Sequence, residues 1–430
     1  MSLKRGKKMR TRRGNIVILF ILLISAFCPV GGCATTNLSS SRESRGEEFI
    51  GKVYPGIDVL VEGGFESVKG KRIGLITNHT GLSREGKSDI DILFETEKCK
   101  IVALFGPEHG IRGTADEKVT NGKDEKTSLT IYSLYGKTQK PTKEMLEGVD
   151  VLVFDIQDIG TRFYTYIGTM AKCMQAAKEH GKKFVVLDRP NPVGGIKVEG
   201  GIPPMDMCGG NTCIYPIPTR HGMTIGELAK MFNEHFKIGC DLTVVPMKNW
   251  KRWMYFDETG LLWVNPSPNM KTLNGAILYP GPGSGETTLL SCGRGLDRPF
   301  EMYGAPFADA DKVALNLSKR NTPGVRFVPY SFIPTAPYHR YKDELCHGVF
   351  AIVYDREALD SVTAGLHMVQ AFYESHPDQY RQEGGYKTET GDPETWNLLT
   401  VEKKTPEKIV VRWKPGIEEF KKLREKYLLY

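Results

Sequence analysis

Short apolar runs alternate with helical segments between residues 52 and 218, and this alternation constrains the fold more than any other feature. Four runs are rich in Val, Ile and Leu and have the length of buried strands: 72–77, 100–105, 150–155 and 183–188. A weaker run predicts one more strand at 129–134, and the periodicity predicts helices at 89–97 and 165–180. Buried strands separated by helices favour a parallel sheet with helices on both faces. The sequence therefore predicts an α/β fold with a Rossmann-like, doubly wound, mostly parallel sheet in residues 52–218.

The remaining residues, 219–430, are predicted to form a smaller α+β domain that closes a cleft. The predicted elements are helices at 223–236, 309–320 and 357–375 and strands at 241–246, 325–332 and 348–355. Thr224 is the expected N-cap of the first helix, with Glu227 completing a capping box. Residues 265–306 are rich in Gly and Pro and are predicted to contain little regular structure.

The first 33 residues have the layout of a bacterial lipoprotein signal peptide. Lys and Arg occupy seven of the first thirteen positions without an acidic residue, and an apolar run follows at 16–27. The sequence Val30-Gly31-Gly32-Cys33 resembles a lipobox, in which Cys33 is lipidated. An uncleaved anchor helix with a chance cysteine is the alternative.

We expect residues 34–51 to form a flexible tether. We expect the mature lipoprotein to lie on the periplasmic side of a bacterial membrane, which is the outer membrane if the host has one.

The balance of charge excludes one class of partner. The chain has 58 basic and 51 acidic side chains and a formal net charge of +7. Removal of the signal takes away seven of the basic residues, which leaves 51 against 51 acidic ones. Nucleic-acid binding needs a basic surface. A neutral mature chain therefore predicts no nucleic-acid partner.

The cysteine and glycine patterns predict no metal and no nucleotide cofactor. Seven cysteines remain after Cys28 is removed and Cys33 is acylated, and most are predicted to be small buried apolar residues. Cys208 and Cys213 are close enough in sequence for a small disulfide loop, which stays an alternative. The sequence has no CxxC or HExxH motif. The Gly-rich run 281–285 lacks the spacing of a nucleotide-binding loop.

Polar side chains follow the ends of four predicted strands, in the segments 77–80, 106–113, 155–162 and 188–192. Open parallel sheets bind ligands beyond the carboxyl ends of their strands. A sheet with a purely structural role needs turn residues there, but it does not need this concentration of acids, amides, His and Arg. The pattern therefore predicts a ligand site at this edge of the sheet.

Glu108 is the most suggestive residue in these segments. It lies in the run Gly106-Pro107-Glu108-His109-Gly110, in which Pro and Gly predict a rigid turn. A partly desolvated carboxylic acid can protonate a leaving oxygen, as glycosidases require. A helix N-cap or a turn acid paired with Arg112 is the alternative. Glu286 is the expected second carboxylate, unless it forms a structural ion pair with Arg294.

Seven motifs, in this order, resemble those of the exo-acting β-N-acetylmuramidases. These enzymes remove N-acetylmuramic acid from the non-reducing ends of peptidoglycan fragments. The motifs are 77–80, GPEHGIRG at 106–113, 155–166, 188–192, 220–224, 265–270 and GRGLDRPF at 293–300. The resemblance covers residues 52–430. It implies a Rossmann-like N-terminal domain, a smaller C-terminal domain and an active cleft between them.

The resemblance implies a glycoside hydrolase that needs no metal or organic cofactor. The family's proposed catalytic glutamate maps onto Glu108, as general acid or base. A second acid maps onto Glu286, although the residues after it depart from the family's usual Phe-Glu-Gly-Thr-Asn. The substrate's own 2-acetamido group is the alternative second player.

The other site residues are expected to bind peptidoglycan-derived muramic-acid saccharides. They are Asn78, His79, His109, Arg112, Asp158, Arg162, Tyr164, Tyr166, Arg189, Asn191, His221, Asn269, Arg294 and Arg298. Arg162, Arg189 or Arg294 would hold the lactyl carboxylate, and the two tyrosines would stack on sugar faces. A non-catalytic, lipid-anchored protein that binds cell-wall sugars is the competing hypothesis.

Overall fold

The computed structural model describes residues 52–111, 121–337 and 339–430. The predicted signal peptide with Cys33, the predicted tether and Arg112 lie outside the described residues. Within the described ranges, no helix combines the length and the apolar character that a membrane crossing requires.

A seven-stranded sheet forms the centre of the structure. Its strands are β1 (Arg72–Thr77), β2 (Lys100–Gly106), β3 (Gly122–Lys123), β4 (Thr130–Ser133), β5 (Val151–Asp155), β6 (Lys183–Leu187) and β7 (Asp241–Val245). Their spatial order is β3-β4-β2-β1-β5-β6-β7. All neighbouring pairs are parallel except β3 with β4. β2 and β4 lie on one side of β1, and β5, β6 and β7 lie on the other. The predicted doubly wound, mostly parallel sheet is therefore confirmed.

Ten α-helices accompany the strands in the described part of the chain. They are α1 (Gly56–Glu62), α2 (Asp89–Glu95), α3 (Tyr166–Glu179), α4 (Ile225–Glu234), α5 (Leu273–Leu278), α6 (Ala310–Ser318), α7 (Ser361–Ser375), α8 (Tyr386–Thr390), α9 (Thr395–Thr400) and α10 (Pro406–Arg424). The predicted capping box at the start of α4 is present, with Thr224 and Glu227 in their expected roles.

A second, smaller sheet is antiparallel. It contains β8 (Met302–Ala305), β9 (Val325–Phe332) and β10 (Cys346–Val353) in the order β8-β10-β9. Helix α6 packs against β9 and β10, and α7 packs against α6. The predicted α+β character of this region is confirmed.

The structure differs from the sequence-based expectations at three places. The large sheet continues beyond residue 218, because β7 pairs in parallel with β6 along its whole length. Residues 265–306 contain α5 and β8, although little regular structure was expected there. The long helix α10 was not expected, and Pro415 lies in its interior, where proline normally interrupts a helical pattern.

Charged side chains fill the sheet edge where β1 and β5 lie side by side. Arg189 donates two hydrogen bonds to the carboxylate of Asp155, one of them 2.9 Å long, and both side chains are buried. Asp89, also buried, accepts from Thr77. The cavity above them has a volume of only about 30 Å³. The place where a doubly wound sheet usually binds its ligand is therefore occupied by a structural charge network.

The described cysteines are free thiols, and five of the seven are buried, as expected for small apolar residues. Cys208 and Cys213 are neighbours, with their Sγ atoms 3.0 Å apart. They lie in a loop that also contributes Thr212 to the candidate site described below.

Tyr430 provides a test of how the last residues stabilise the large sheet. Its hydroxyl donates to Asp188 and accepts from the backbone N–H of Met247, both at 2.7 Å. Tyr430→Phe leaves two polar groups without this partner, so we expect a loss of about 1–3 kcal/mol in the free energy of unfolding. Urea denaturation measures the loss. Tyr330→Phe is the control, because Tyr330 is 42 % exposed; equal stability of the two variants would contradict the expectation.

Candidate active site

Glu108 is held in a tight turn at the end of β2. His109 and Gly110 both have left-handed backbone conformations, with φ of 69° and 72°. The N–H of Gly110 donates to the carbonyl of Pro107 at 3.0 Å, which closes the turn. A left-handed backbone is uncommon for a residue with a side chain and is concentrated at functional sites. The turn holds the half-buried side chains of Glu108 and His109 at the carboxyl edge of the sheet.

The hydroxyl group of Thr165 holds the Glu108 carboxyl, and Tyr135 lies close to it. Thr165 Oγ1 donates to Glu108 Oε2 at 2.6 Å, and Thr165 immediately precedes α3. Tyr135, which follows β4, lines the same cavity and is close enough to Glu108 to feel its charge. Burial, followed by the nearby charge of Glu108, raises the pKa of Tyr135 to about 12. Tyr135 therefore stays protonated and able to donate. Neither residue was predicted to belong to the site, although Thr165 begins a predicted helix and Tyr135 directly follows a predicted strand.

Glu108 lines a cavity of about 300 Å³. Four of the residues expected to bind the sugar line it: His109, Tyr164, Tyr166 and Arg294. The full lining is Glu108, His109, Tyr135, Phe163, Tyr164, Thr165, Tyr166, Thr212, Ser267, Met270, Tyr279, Arg294, Phe300, His339 and Glu389.

Aromatic rings form one side of the cavity. The ring centroids of Tyr164 and Tyr166 are 4.9 Å apart, and those of Tyr279 and Phe300 are 4.8 Å apart, both edge to face. Phe163 lies 5.0 Å from Tyr279. Rings of this kind give a ligand apolar faces, while Tyr keeps a polar tip. The lining combines aromatic surface with a few ionisable groups, as is typical of sites that bind small polar molecules.

Arg294 and Glu286 form an ion pair at the border of this cavity. Arg294 donates through Nε and Nη2, the latter at 2.7 Å, and its guanidinium lies 5.0 Å from the Phe300 ring. Burial alone would raise the pKa of Glu286, but the charge and hydrogen bonds of Arg294 outweigh it and hold the pKa below its usual value. Glu286 lines a neighbouring cavity of about 220 Å³, which shares Arg294 and His339 with the first.

Glu389, at the end of α8, lines the same cavity as Glu108 and was not found from sequence. Its carboxyl oxygen Oε2 lies 3.0 Å from Thr287 Oγ1. Burial raises the pKa of Glu389 well above its ordinary value, and the nearby charge of Glu286 adds to the effect. Thr287, Arg162 and Arg294 offset only part of this rise.

Both halves of the chain match models of a single family. Residues 73–274 match the model described as exo-beta-N-acetylmuramidase NamZ, N-terminal, and residues 277–430 match the corresponding C-terminal model. The chain belongs to the NamZ family.

Known proteins of similar sequence and structure agree with this assignment. The peptidoglycan beta-N-acetylmuramidase NamZ of Bacillus subtilis (strain 168) is 47 % identical over 384 residues, which cover 88 % of this chain and 92 % of the relative. Two crystal structures of DUF1343 family proteins from Bacteroides fragilis superpose with TM-scores of 0.81 and 0.72. Their sequence identities are 39 % and 32 %, and each match covers 88 % of this chain and 99 % of the other.

Three predicted ligand residues of this NamZ-family chain form hydrogen bonds with other segments of the protein near the cavity. Asn78 donates to the hydroxyl of Tyr166 at 3.1 Å, and Tyr166 donates to the carbonyl of Pro266. His79 Nε2 donates to the carbonyl of Asn265 at 2.7 Å. Asn269 accepts from the N–H of Gly295 at 2.8 Å. These bonds join the segments 77–80, 265–270 and 293–300.

Other predicted residues lie away from the cavity wall. Arg162, Arg189, Asn191 and His221 are buried and bonded within the protein: Arg162 to the Glu389 carbonyl, Arg189 to Asp155, Asn191 to the Met223 carbonyl and His221 to the Met223 N–H. Burial, followed by three nearby arginines, lowers the pKa of His221 to about 3, so it is neutral. Arg298 pairs with Glu301. The roles of these residues in substrate binding stay predictions.

Asp158 provides a test of the buried charge near the site. It accepts from the N–H of Gly160 at 2.8 Å, and burial raises its pKa from 3.8 to about 7 despite this bond. A raised carboxyl pKa stabilises the folded state fully below pH 4, and this stabilisation is lost as the pH rises to 7. Relative to the wild type, Asp158→Asn should therefore gain roughly 1–3 kcal/mol of stability between pH 4 and pH 7.

Chemical denaturation at several pH values measures this difference. Asp206→Asn is the control, because Asp206 is exposed, and its stability should follow the wild type at each pH. If the stability of Asp158→Asn also follows that of the wild type at each pH, Asp158 is not a buried group of raised pKa.

Proposed function

We propose that this chain is an exo-acting glycoside hydrolase that releases N-acetylmuramic acid from the non-reducing ends of peptidoglycan fragments, with Glu108 as a general acid or base. One observation carries the proposal: the Glu108 carboxyl lines a cavity and is oriented by the hydroxyl group of Thr165. The name of the Bacillus subtilis relative, a peptidoglycan muramidase with 47 % identity, supports the same chemistry here.

The size of the cavity favours a single terminal sugar. Its volume of about 300 Å³ lies at the lower end of the range for small-molecule sites, which is about 300–1,000 Å³. An enzyme that cleaves a glycan in the middle needs a longer groove for sugars on both sides of the bond. The aromatic side of the cavity supplies apolar surface for the sugar ring.

Arg294 is suited to the lactyl carboxylate of muramic acid. Of the three arginines considered from sequence, it is the one that lines the cavity. Its Nε and Nη2 bind Glu286, which fixes the plane of the guanidinium, and its Nη1 makes no hydrogen bond to another described residue. An Nη1 donor can therefore form a charge-assisted hydrogen bond with a carboxylate. N-acetylglucosamine lacks this carboxylate, so the contact favours the muramic-acid sugar.

Hydrolysis of a chromogenic β-N-acetylmuramide, compared with the matching N-acetylglucosaminide, tests the function. We expect the protein to cleave the muramide alone. Glu108→Gln should lower kcat by about 10²–10⁴-fold, because the variant can neither donate nor accept the proton. Glu85→Gln, at an exposed position, is the control and should retain the wild-type rate.

Two results would contradict the proposal. Full activity of Glu108→Gln would remove Glu108 from the chemistry. Absence of hydrolysis by the wild type, with measurable calorimetric binding of muramic-acid-ended fragments, would establish a non-catalytic sugar-binding protein instead.

We further propose that the protein is exported and anchored by a lipid on Cys33. Peptidoglycan lies outside the cytoplasmic membrane, so an exported lipoprotein would meet its substrate there. Cys33→Ala should abolish incorporation of a labelled fatty acid and move the protein from the membrane fraction to the soluble fraction. Labelling that persists in this variant would contradict the proposed anchor.

A further inference from the structure

Three glutamates lie at or beside the cavity, and their surroundings differ. Glu108 accepts a hydrogen bond from the hydroxyl group of Thr165. Glu286 is neutralised by Arg294 and lines the neighbouring cavity. Glu389 shares the cavity of Glu108, and within the described residues no cationic side chain bonds its carboxyl group.

Thr287 offers the Glu389 carboxyl only a shared hydrogen bond. Thr287 Oγ1 lies 2.8 Å from the carbonyl oxygen of Ser284 and 3.0 Å from Glu389 Oε2. A hydroxyl group has one proton to donate, and a backbone carbonyl can only accept. The single proton of Thr287 is therefore shared between the Ser284 carbonyl and Glu389 Oε2, so Thr287 stabilises a Glu389 carboxylate only in part. This arrangement agrees with the raised pKa of Glu389.

The other carboxyl oxygen of Glu389 is available to a ligand. Oε1 makes no hydrogen bond with another described residue, and it is not among the enclosed polar atoms that lack a partner. The side chain lines the cavity, so this oxygen is open to it. A protonated carboxyl group with one free oxygen can turn its proton toward a bound sugar.

The backbone around Glu389 is fixed from the opposite side. The Glu389 carbonyl accepts from Arg162 at 2.8 Å and from Thr219 at 3.1 Å. The next residue, Thr390, accepts from the N–H of Gly201 at 3.1 Å through its carbonyl. These hydrogen bonds fix the backbone at Glu389. The carboxyl group therefore has the defined position that proton transfer in a transition state requires.

We propose that Glu389 is the second catalytic carboxyl of this site and acts as the general acid, while Glu108 acts as the general base. Glu389 gives its proton to the glycosidic oxygen, the bond between that oxygen and C1 of the muramic-acid sugar breaks, and the leaving sugar departs as an alcohol. The water whose oxygen bonds to C1 gives its proton to Glu108. The proposal rests on the proposed function, and it assigns the proton donation to Glu389 rather than to Glu286.

The leaving group of the substrate tests this division of roles. The disaccharide of N-acetylmuramic acid linked β-1,4 to N-acetylglucosamine has an alcohol leaving group and needs a proton. A 2,4-dinitrophenyl β-N-acetylmuramide has a leaving group that departs as an anion. Glu389→Gln should lower kcat on the disaccharide by about 10²–10⁴-fold and on the dinitrophenyl substrate by less than about tenfold. Glu108→Gln should be impaired on both.

Further measurements separate acid catalysis from a structural role. The alkaline limb of the pH profile of kcat/KM on the disaccharide should disappear in Glu389→Gln. Glu389→Asp, which keeps the acid but shortens the side chain, should show a smaller loss that is again confined to the disaccharide. Glu394→Gln is the matched control, because Glu394 is exposed and pairs with Arg412; it should equal the wild type on both substrates.

Equal loss on both substrates, or no loss on either, would overturn the role of Glu389 as the acid. If Glu389→Gln does not fold, the rates of Glu389→Asp on the two substrates distinguish acid catalysis from a structural role in the same way. A wild-type protein that hydrolyses neither substrate would overturn the proposed function itself, which is a distinct result.

Discussion

The arrangement of the cavity depends on one buried guanidinium group, that of Arg162. The backbone N–H of Arg162 donates to the carbonyl of Thr219, and its side chain donates to the carbonyl of Glu389, both at 2.8 Å. Three residues later, Thr165 holds the carboxyl of Glu108. One short segment after β5 therefore sets the positions of both carboxyl groups that line the cavity. A buried charge is costly unless it is hydrogen-bonded, so these contacts restrict the segment strongly.

Local patterns in the sequence were sufficient to predict most of the large sheet. β1 and β9 have the predicted bounds, because continuous or alternating apolar runs are strong local signals. The turn that carries Glu108 was predicted for a similar reason, since Pro107 and Gly110 restrict or permit backbone angles regardless of the rest of the fold. The interior of α10 was harder to recognise because tertiary packing there overrides the effect of Pro415.

The functions of polar side chains at the strand ends could not be predicted in the same way. Arg162, Arg189 and His221 all occupy positions where a ligand contact was reasonable, yet each binds groups within the protein. Sequence alone does not show whether such a side chain points outward or toward a distant carbonyl. Glu389 illustrates the opposite case. Its segment is short and polar, and the role proposed for it rests on contacts with residues more than 100 positions away.

The lining of the cavity extends in sequence from Glu108 to Glu389. Contacts between residues so far apart carry an entropic cost, because a long loop must close before they stabilise the chain. The junction between the two family models, near residue 275, divides the lining, with Glu108 on one side and Arg294 and Glu389 on the other. Neither half alone can assemble the site. A nascent or partly folded molecule consequently lacks the complete site until the two halves have packed together.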